Sequence, residues 1–263
     1  MDLHHKHHNN VDIFKNKLKE NKPCIGTGVT LSDPLSAEIS AESGNDFIWI
    51  EMEHSHLTNN DLIVHIMALR GTSTAAMVRV PWNDPVVIKP IIDMCPAVIV
   101  VPMIRNATDA LKAVQSCKYP PNGFRSFSPI RNMYSCENMD DYLNIADSQT
   151  MIFVQIEHID AINDLDNILK TPGLDGLVLG RNDLSGSVGK LGEYDNPIVK
   201  DAINTYFKKC KDSNVFTGCA VSYDLSIIDD WYEKGCQFFS IGCDRDFISS
   251  MSKDIVNKIR SLN

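Results

Sequence analysis

The chain has 263 residues, 43% of them hydrophobic and 22% charged, the proportions of an ordinary globular protein and enough length for one α/β barrel of about 250 residues. A formal net charge of −9 argues against a nucleic-acid partner, whose phosphates would be repelled. No stretch approaches the roughly 20 apolar residues of a membrane span, and Met1 to Asn10 lacks the apolar core of a signal peptide, so the expectation is a cytoplasmic protein acting on small molecules without a membrane partner.

The opening residues 1–10, with His4, His5, His7 and His8, are expected to form a solvated, disordered polar tail with no assigned role, ahead of a single domain over 11–263. Val11 to Glu20 carries Ile13, Phe14 and Leu18 at helical spacing and is predicted to cover the bottom of a barrel. From Cys24 onward strand and helix patterns alternate, with strands around 24–31, 46–53, 74–80, 97–104, 151–156, 174–180, 216–222 and 237–242. Eight such strands fit a closed (β/α)8 TIM barrel. Asp33-Pro34 and Asp84-Pro85 each offer a side-chain N-cap followed by proline at the first helical position. Gly44, Gly71 and Gly235 supply left-handed C-caps. The eight cysteines, Cys24, Cys95, Cys117, Cys136, Cys210, Cys219, Cys236 and Cys243, show no C-x-x-C spacing. They read as reduced, buried thiols and not as a disulfide framework.

Several strand ends carry residues that packing does not ask for. The second strand runs into Glu51-Met52-Glu53-His54-Ser55-His56; His56 reads as a surface residue, whereas His54 follows two acids and is a candidate proton carrier. The third strand places Arg79 in an apolar run, where a charge costs several kcal/mol unless it meets anions of the protein or of a substrate. After the fourth helix, the long loop from Lys118 to Pro129 is rich in rigid turn residues. Its Arg125 either reaches an anion or caps a helix.

The stretch from Met151 to Ser187 reads as strand, helix over Asp160 to Lys170, and strand. Parallel strands joined by a helix end on the same edge, so Glu157 and Asp183 should face one another across a shared mouth. Such acids can also cap a helix, as Asp183 could, or pair with a nearby cation, as Glu157 could with Arg181. Their place at the carboxyl ends of adjacent strands favours metal binding. Oxygen ligands with no Cys or His pair nearby favour magnesium or manganese, with cobalt behind them, over a structural zinc. His158 points to the opposite face from Glu157 and is a poor third ligand. Arg181, alternating in direction with Asn182, stands two residues before Asp183; both are candidate substrate-binding residues, Arg181 for a second anionic group or else for a protein acid.

Taken together, His54 in EMEH, Arg79 in VRVP, Asp93, the KYPPNGFR loop, Glu157 in QIE and Asp183 in GRNDLSGSVG resemble the HpcH/HpaI family of metal-dependent 2-oxo acid aldolases, in order and at family-like spacings from about Gly26 to Gly242. The resemblance implies a barrel whose last helix packs on a neighbouring subunit in a homo-oligomer, a dimer or a hexamer built from dimers. It implies that Glu157 and Asp183 hold a divalent metal which chelates pyruvate, that Arg79 touches the keto oxygen, and that His54 moves a proton with Asp93 of an adjacent subunit orienting it. The implied reaction is retro-aldol cleavage of a 4-hydroxy-2-oxo acid to pyruvate and an aldehyde, with no organic cofactor. Departures from the family stand at Glu51, Cys95-Pro96, Ser126 and Gly180-Arg181; they bear on the substrate and leave the metal site intact. Relatives on this scaffold also handle acyl-CoA thioesters, so a condensing or cleaving reaction of the citrate synthase or malyl-CoA lyase type is the alternative.

Overall fold

The computed structural model describes residues 8–20 and 22–262; most of the histidine-rich opening lies outside them. Eight parallel strands pair in chain order and close on themselves. They are β1 (Cys24–Val29), β2 (Phe47–Glu51), β3 (Ala75–Arg79), β4 (Val98–Ile104), β5 (Met151–Ile156), β6 (Gly176–Leu179), β7 (Phe216–Val221) and β8 (Phe238–Cys243). All eight expected strands are present, and helices on the outside make this a (β/α)8 barrel. Among the described residues, no helix is long and apolar enough to cross a membrane.

The barrel interior changes character from bottom to top because strand side chains alternate in direction. The inner face of β2 reads Phe47, Trp49, Glu51; that of β3 reads Ala75, Met77, Arg79; that of β5 reads Phe153, Gln155 and then Glu157. Apolar residues fill the bottom and polar ones crown it. The bottom layer fits because each large ring sits beside a strand position without a Cβ. Phe47, Phe153 and Phe238 are register partners of Gly26, Gly176 and Gly218, and a Cβ on those glycines would come within 2.4–2.5 Å of the rings. The helix Val11–Lys19 closes this end, with buried Val11, Phe14 and Leu18 against the same cluster. Phe14 lies 5.4 Å from the Phe47 ring.

Asn9 and Asn10, expected within the solvated tail, tie that closing helix to the barrel. Asn9 donates to the Gln149 carbonyl at 2.8 Å and Asn10 to the Thr74 carbonyl at 2.9 Å. Asp33 and Asp84 accept from the backbone amides of Leu35 and Val86, as their position before proline predicts. Gly44, Gly71 and Gly235 have φ of 92°, 90° and 100°. The helix expected over Asp160 to Lys170 is two short ones, Ile159–Asn163 and Leu165–Ile168. The joint is Asp164, whose carboxylate accepts from the Ala107 amide at 2.8 Å and from the Asn167 side chain at 2.6 Å, competing with a continuous helical ladder. All eight cysteines are free, six of them buried.

Candidate active site

The crown of the barrel is built by register. Glu51 and Arg79 are directly paired positions on β2 and β3, so the guanidinium meets the carboxylate without spanning any distance. Arg79 Nε donates to Glu51 Oε2 at 2.8 Å, Nη2 lies 2.5 Å from the same oxygen, and Nη1 approaches Gln155 Oε1 at 3.4 Å. The Trp49 indole N–H also donates to Glu51, at 3.0 Å, and the guanidinium stands 5.5 Å from the Trp49 ring. Burial pushes the Glu51 carboxyl up, but the Arg79 charge and the bonds it receives outweigh that and hold it below the usual range.

Glu157 lies just past the end of β5 and opposite Gly180, which follows β6. A Cβ at Gly180 would come within 2.9 Å of Glu157 Oε2 and 2.7 Å of the Gln155 amide, so only glycine lets these side chains fold across the strand end. Gln155 Nε2 donates to Glu157 Oε2 at 2.5 Å and the Met103 amide to Oε1 at 2.7 Å. Met103 itself has φ of 57° at a register shift in β4, a strained bulge that aims a backbone donor at the acid. Asp183 stands exposed in the first turn of the helix Arg181–Ser187, lining the same mouth.

The electrostatics of this crown are unbalanced. Burial, opposed by Arg79 and reinforced by the charges of Glu51 and Asp183, pushes the Glu53 carboxyl up to about 7. Burial, opposed by the Met103 amide and reinforced by Glu53, does the same to Glu157. Arg79 Nη1 is 3.2 Å from Glu53 Oε2 but misaligned, so that oxygen is a buried acceptor without a hydrogen-bond donor. Three acids, Glu51, Glu53 and Glu157, thus converge on Arg79, and Asp183 adds its charge to that of Glu53 and Glu157. That donor set, oxygen only and short of positive charge, fits a hard divalent cation held by Glu157 and Asp183. Among the described residues, no group of three or more His, Cys, Asp or Glu is placed to hold a metal ion, so a cation held by two acids would take its remaining ligands from substrate or water.

This arrangement sets a pH response. A carboxyl raised from 4.5 to about 7 on folding binds more protons folded than unfolded, so its stabilising contribution is full below about 4.5 and is lost as pH rises through about 7. Metal-free protein is therefore expected to melt several degrees higher at pH 5.5 than at pH 8, each kcal/mol being worth about 2–4 °C in a chain of this size. Millimolar magnesium should raise the melting temperature more at pH 8, where both acids are ionised. Scanning fluorimetry with chelator and with magnesium reads both; a melting temperature that climbs from pH 5.5 to 8 in chelator would contradict the raised acids.

The remaining candidates separate. His54 lines the mouth with its side chain 66% exposed and Nε2 3.7 Å from Glu53 Oε2. His56 bonds Ser32 at the surface, and His158 caps the helix Ile159–Asn163 by accepting from the Asp160 amide. Arg181 lines the mouth, but it is buried, with Nη2 2.8 Å from Asp224 and its guanidinium 4.2 Å over the Tyr194 ring. Of the two alternatives for Arg181 the geometry shows the protein acid, with Nη2 on Asp224, while Nε is buried without a hydrogen-bond partner among the described residues. Asn182 lines the mouth with its side-chain oxygen held by Tyr194 at 2.5 Å. Arg125 does not reach the mouth: the long loop turns it inward under Tyr119, 4.5 Å from that ring, where it bonds Asp93 at 2.6 Å. Asp93, at the end of the helix Pro85–Asp93, is likewise outside the mouth of its own chain.

Glu53, Gln155 and the Met103 amide belong to the site without being among the residues expected there. The i, i+2 spacing of Glu51 with Glu53 and of Gln155 with Glu157 was the available signal; Pro102 within a strand run hinted at the bulge. The mouth encloses about 230 Å³, the scale of a small organic acid.

The family described as HpcH/HpaI aldolase/citrate lyase matches residues 26–250. The chain is 32% identical over 237 residues to a 4-hydroxy-2-oxo-heptane-1,7-dioate aldolase of Escherichia coli, covering 90% of each. It is 31% identical over 255 residues to a 5-keto-4-deoxy-D-glucarate aldolase of Enterobacter sp. (strain 638), covering 95% of this chain and 98% of the relative. A solved HpcH/HpaI aldolase from Desulfitobacterium hafniense DCB-2 superposes with a TM-score of 0.86 at 24% identity, over 95% of this chain and 97% of that one.

Proposed function

This chain belongs to the HpcH/HpaI aldolase/citrate lyase family and is a carbon–carbon lyase; from that premise we propose that it cleaves a 4-hydroxy-2-oxo acid reversibly to pyruvate and an aldehyde, with a divalent cation held by Glu157 and Asp183. The observation that carries this reading is the crown itself, where Glu51, Glu53 and Glu157 gather around Arg79 and Asp183 adds its charge to that of Glu53 and Glu157, inside a closed barrel. Magnesium or manganese suits these oxygen donors.

In the cleavage the C4 hydroxyl gives up its proton and the C3–C4 bond breaks. Its electron pair passes to the three-carbon side, which takes a proton at C3 and leaves as pyruvate. A divalent cation held by Glu157 and Asp183 would supply Lewis-acid stabilisation of the 2-oxo acid. Arg79, fixed by Glu51 and Trp49, holds positive charge beside the oxo oxygen where negative charge develops, in a site that needs no reorganisation. His54, exposed in the mouth, takes the proton from the C4 hydroxyl. Asn182 orients the substrate from the start of its helix.

A homo-oligomer, dimeric or hexameric, belongs to the same reading. Ile248, Met251, Ile255 and Ile259 leave an exposed apolar row on the helix Asp244–Arg260, a face that a neighbouring subunit would cover. Asp93 of the partner subunit would then orient His54.

The test is pyruvate release from 4-hydroxy-2-oxo acids, read by coupled reduction, beside thiol release from acetyl-CoA with oxaloacetate. We expect pyruvate, lost in excess chelator and restored by magnesium or manganese. Thiol release alone would move the assignment to the condensing alternative, and full activity in chelator would remove the metal.

A further inference from the structure

Three arginines line the mouth: Arg79, Arg181 and Arg245. Arg79 is committed to Glu51 and Glu53, and Arg181 to Asp224. Arg245 is exposed, and its side chain meets no acid among the described residues. It is the second residue of the 17-residue helix Asp244–Arg260, where a cation opposes the helix dipole while its neighbours Asp244 and Asp246 favour it. Local stability therefore does not ask for an arginine there.

The position is nonetheless firmly held. Asp244 is buried and accepts from the Thr30 amide at 3.1 Å, the Thr30 hydroxyl at 2.8 Å and the Leu31 amide at 3.1 Å, fastening the helix start to the end of β1. Gly28 on β1 pairs with Cys243 at the end of β8, and both line the mouth beside Arg245. This wall stands across the opening from β5, which delivers Glu157. A 2-oxo acid head held at Glu157 and Asp183 would extend its other end toward it.

We propose that Arg245 is the specificity-determining residue of this mouth, selecting aldehydes that carry a distal carboxylate. The proposal rests on the lyase reading for the orientation of the substrate. A carboxylate at that end forms a charge-assisted bond to the free guanidinium. Asp246 lines the same wall, so without the arginine charge the distal anion meets repulsion instead.

The experiment uses the full chain loaded with magnesium. Pyruvate addition to succinic semialdehyde is compared with addition to butyraldehyde, a neutral aldehyde of the same chain length, for wild type, Arg245→Gln, Arg245→Glu and Arg245→Lys. The ratio of kcat/KM for the anionic over the neutral aldehyde is expected to fall about tenfold or more in Arg245→Gln, mainly through KM. It should fall further in Arg245→Glu and recover partly in Arg245→Lys. Calorimetric binding of 2-oxoadipate and 2-oxohexanoate gives a readout independent of turnover, and the Gln variant, freed of a cation at a helix start, should melt no lower than wild type. A wild type that turns over neither aldehyde yet prefers 2-oxoadipate, with the preference lost in Arg245→Gln, would sink the lyase reading and uphold Arg245. An unchanged ratio or preference in Arg245→Gln overturns the assignment.

Discussion

Replacing Glu157 or Asp183 with alanine is expected to reduce turnover about a thousandfold or more, because each would remove an oxygen ligand from the proposed cation at the developing charge. The two variants should differ in everything else. Asp183 is exposed, so Asp183→Ala should fold with little change in melting temperature. Glu157 is buried and holds the Met103 amide and the Gln155 side chain. Glu157→Ala leaves both donors unpaired, at about 1–3 kcal/mol each, but also removes a carboxylate that burial disfavours. Both variants should lose the rise in melting temperature that magnesium gives wild type at pH 8. Magnesium stabilisation that survives in either variant would place the cation elsewhere.

The barrel was legible because its strands are nearly continuous apolar runs, separated by proline-marked helix starts and glycine helix ends at a steady period. Glu157 and Asp183 were legible for the same reason: once the strands are parallel, their ends share one edge. What the sequence could not supply was the fate of the arginines. Arg181 sits two residues from Asp183, and nothing local foretells that Asp224, far along the chain, takes its charge. Arg125 belongs to a loop whose pattern leaves its partner open, and Tyr119 and Asp93 draw it inward. Arg245 looks like an ordinary surface residue until β8 is set beside β1 and its helix is seen to start at the mouth. Which cations are free depends on long-range pairing, and a local pattern carries no information about that.

Arg79→Lys is expected to lower kcat about a hundredfold or more while leaving the protein folded. A lysine ammonium is a single point of charge, whereas the guanidinium serves Glu51 through two nitrogens, reaches Glu53 and Gln155 through a third, and stacks near Trp49. Lysine can keep one of these contacts and cannot also face the oxo oxygen. Arg79→Met separates the structural role from the catalytic one. Alone it strands Glu51 in a buried site and should cost about 3–5 kcal/mol, the usual penalty for breaking a buried pair. Adding Glu51→Met removes the stranded charge, and Glu53, whose carboxyl already sits near 7, can take up a proton. The double variant should therefore recover most of the lost stability, since apolar replacement of a buried pair is often neutral. Its turnover should stay as low as that of Arg79→Met, because no donor remains to meet the charge on the oxo oxygen. Thermal melts and single-turnover rates on the same preparations read the two effects apart. If stability and turnover return together in the double variant, Arg79 serves only to neutralise Glu51 and takes no part in the reaction.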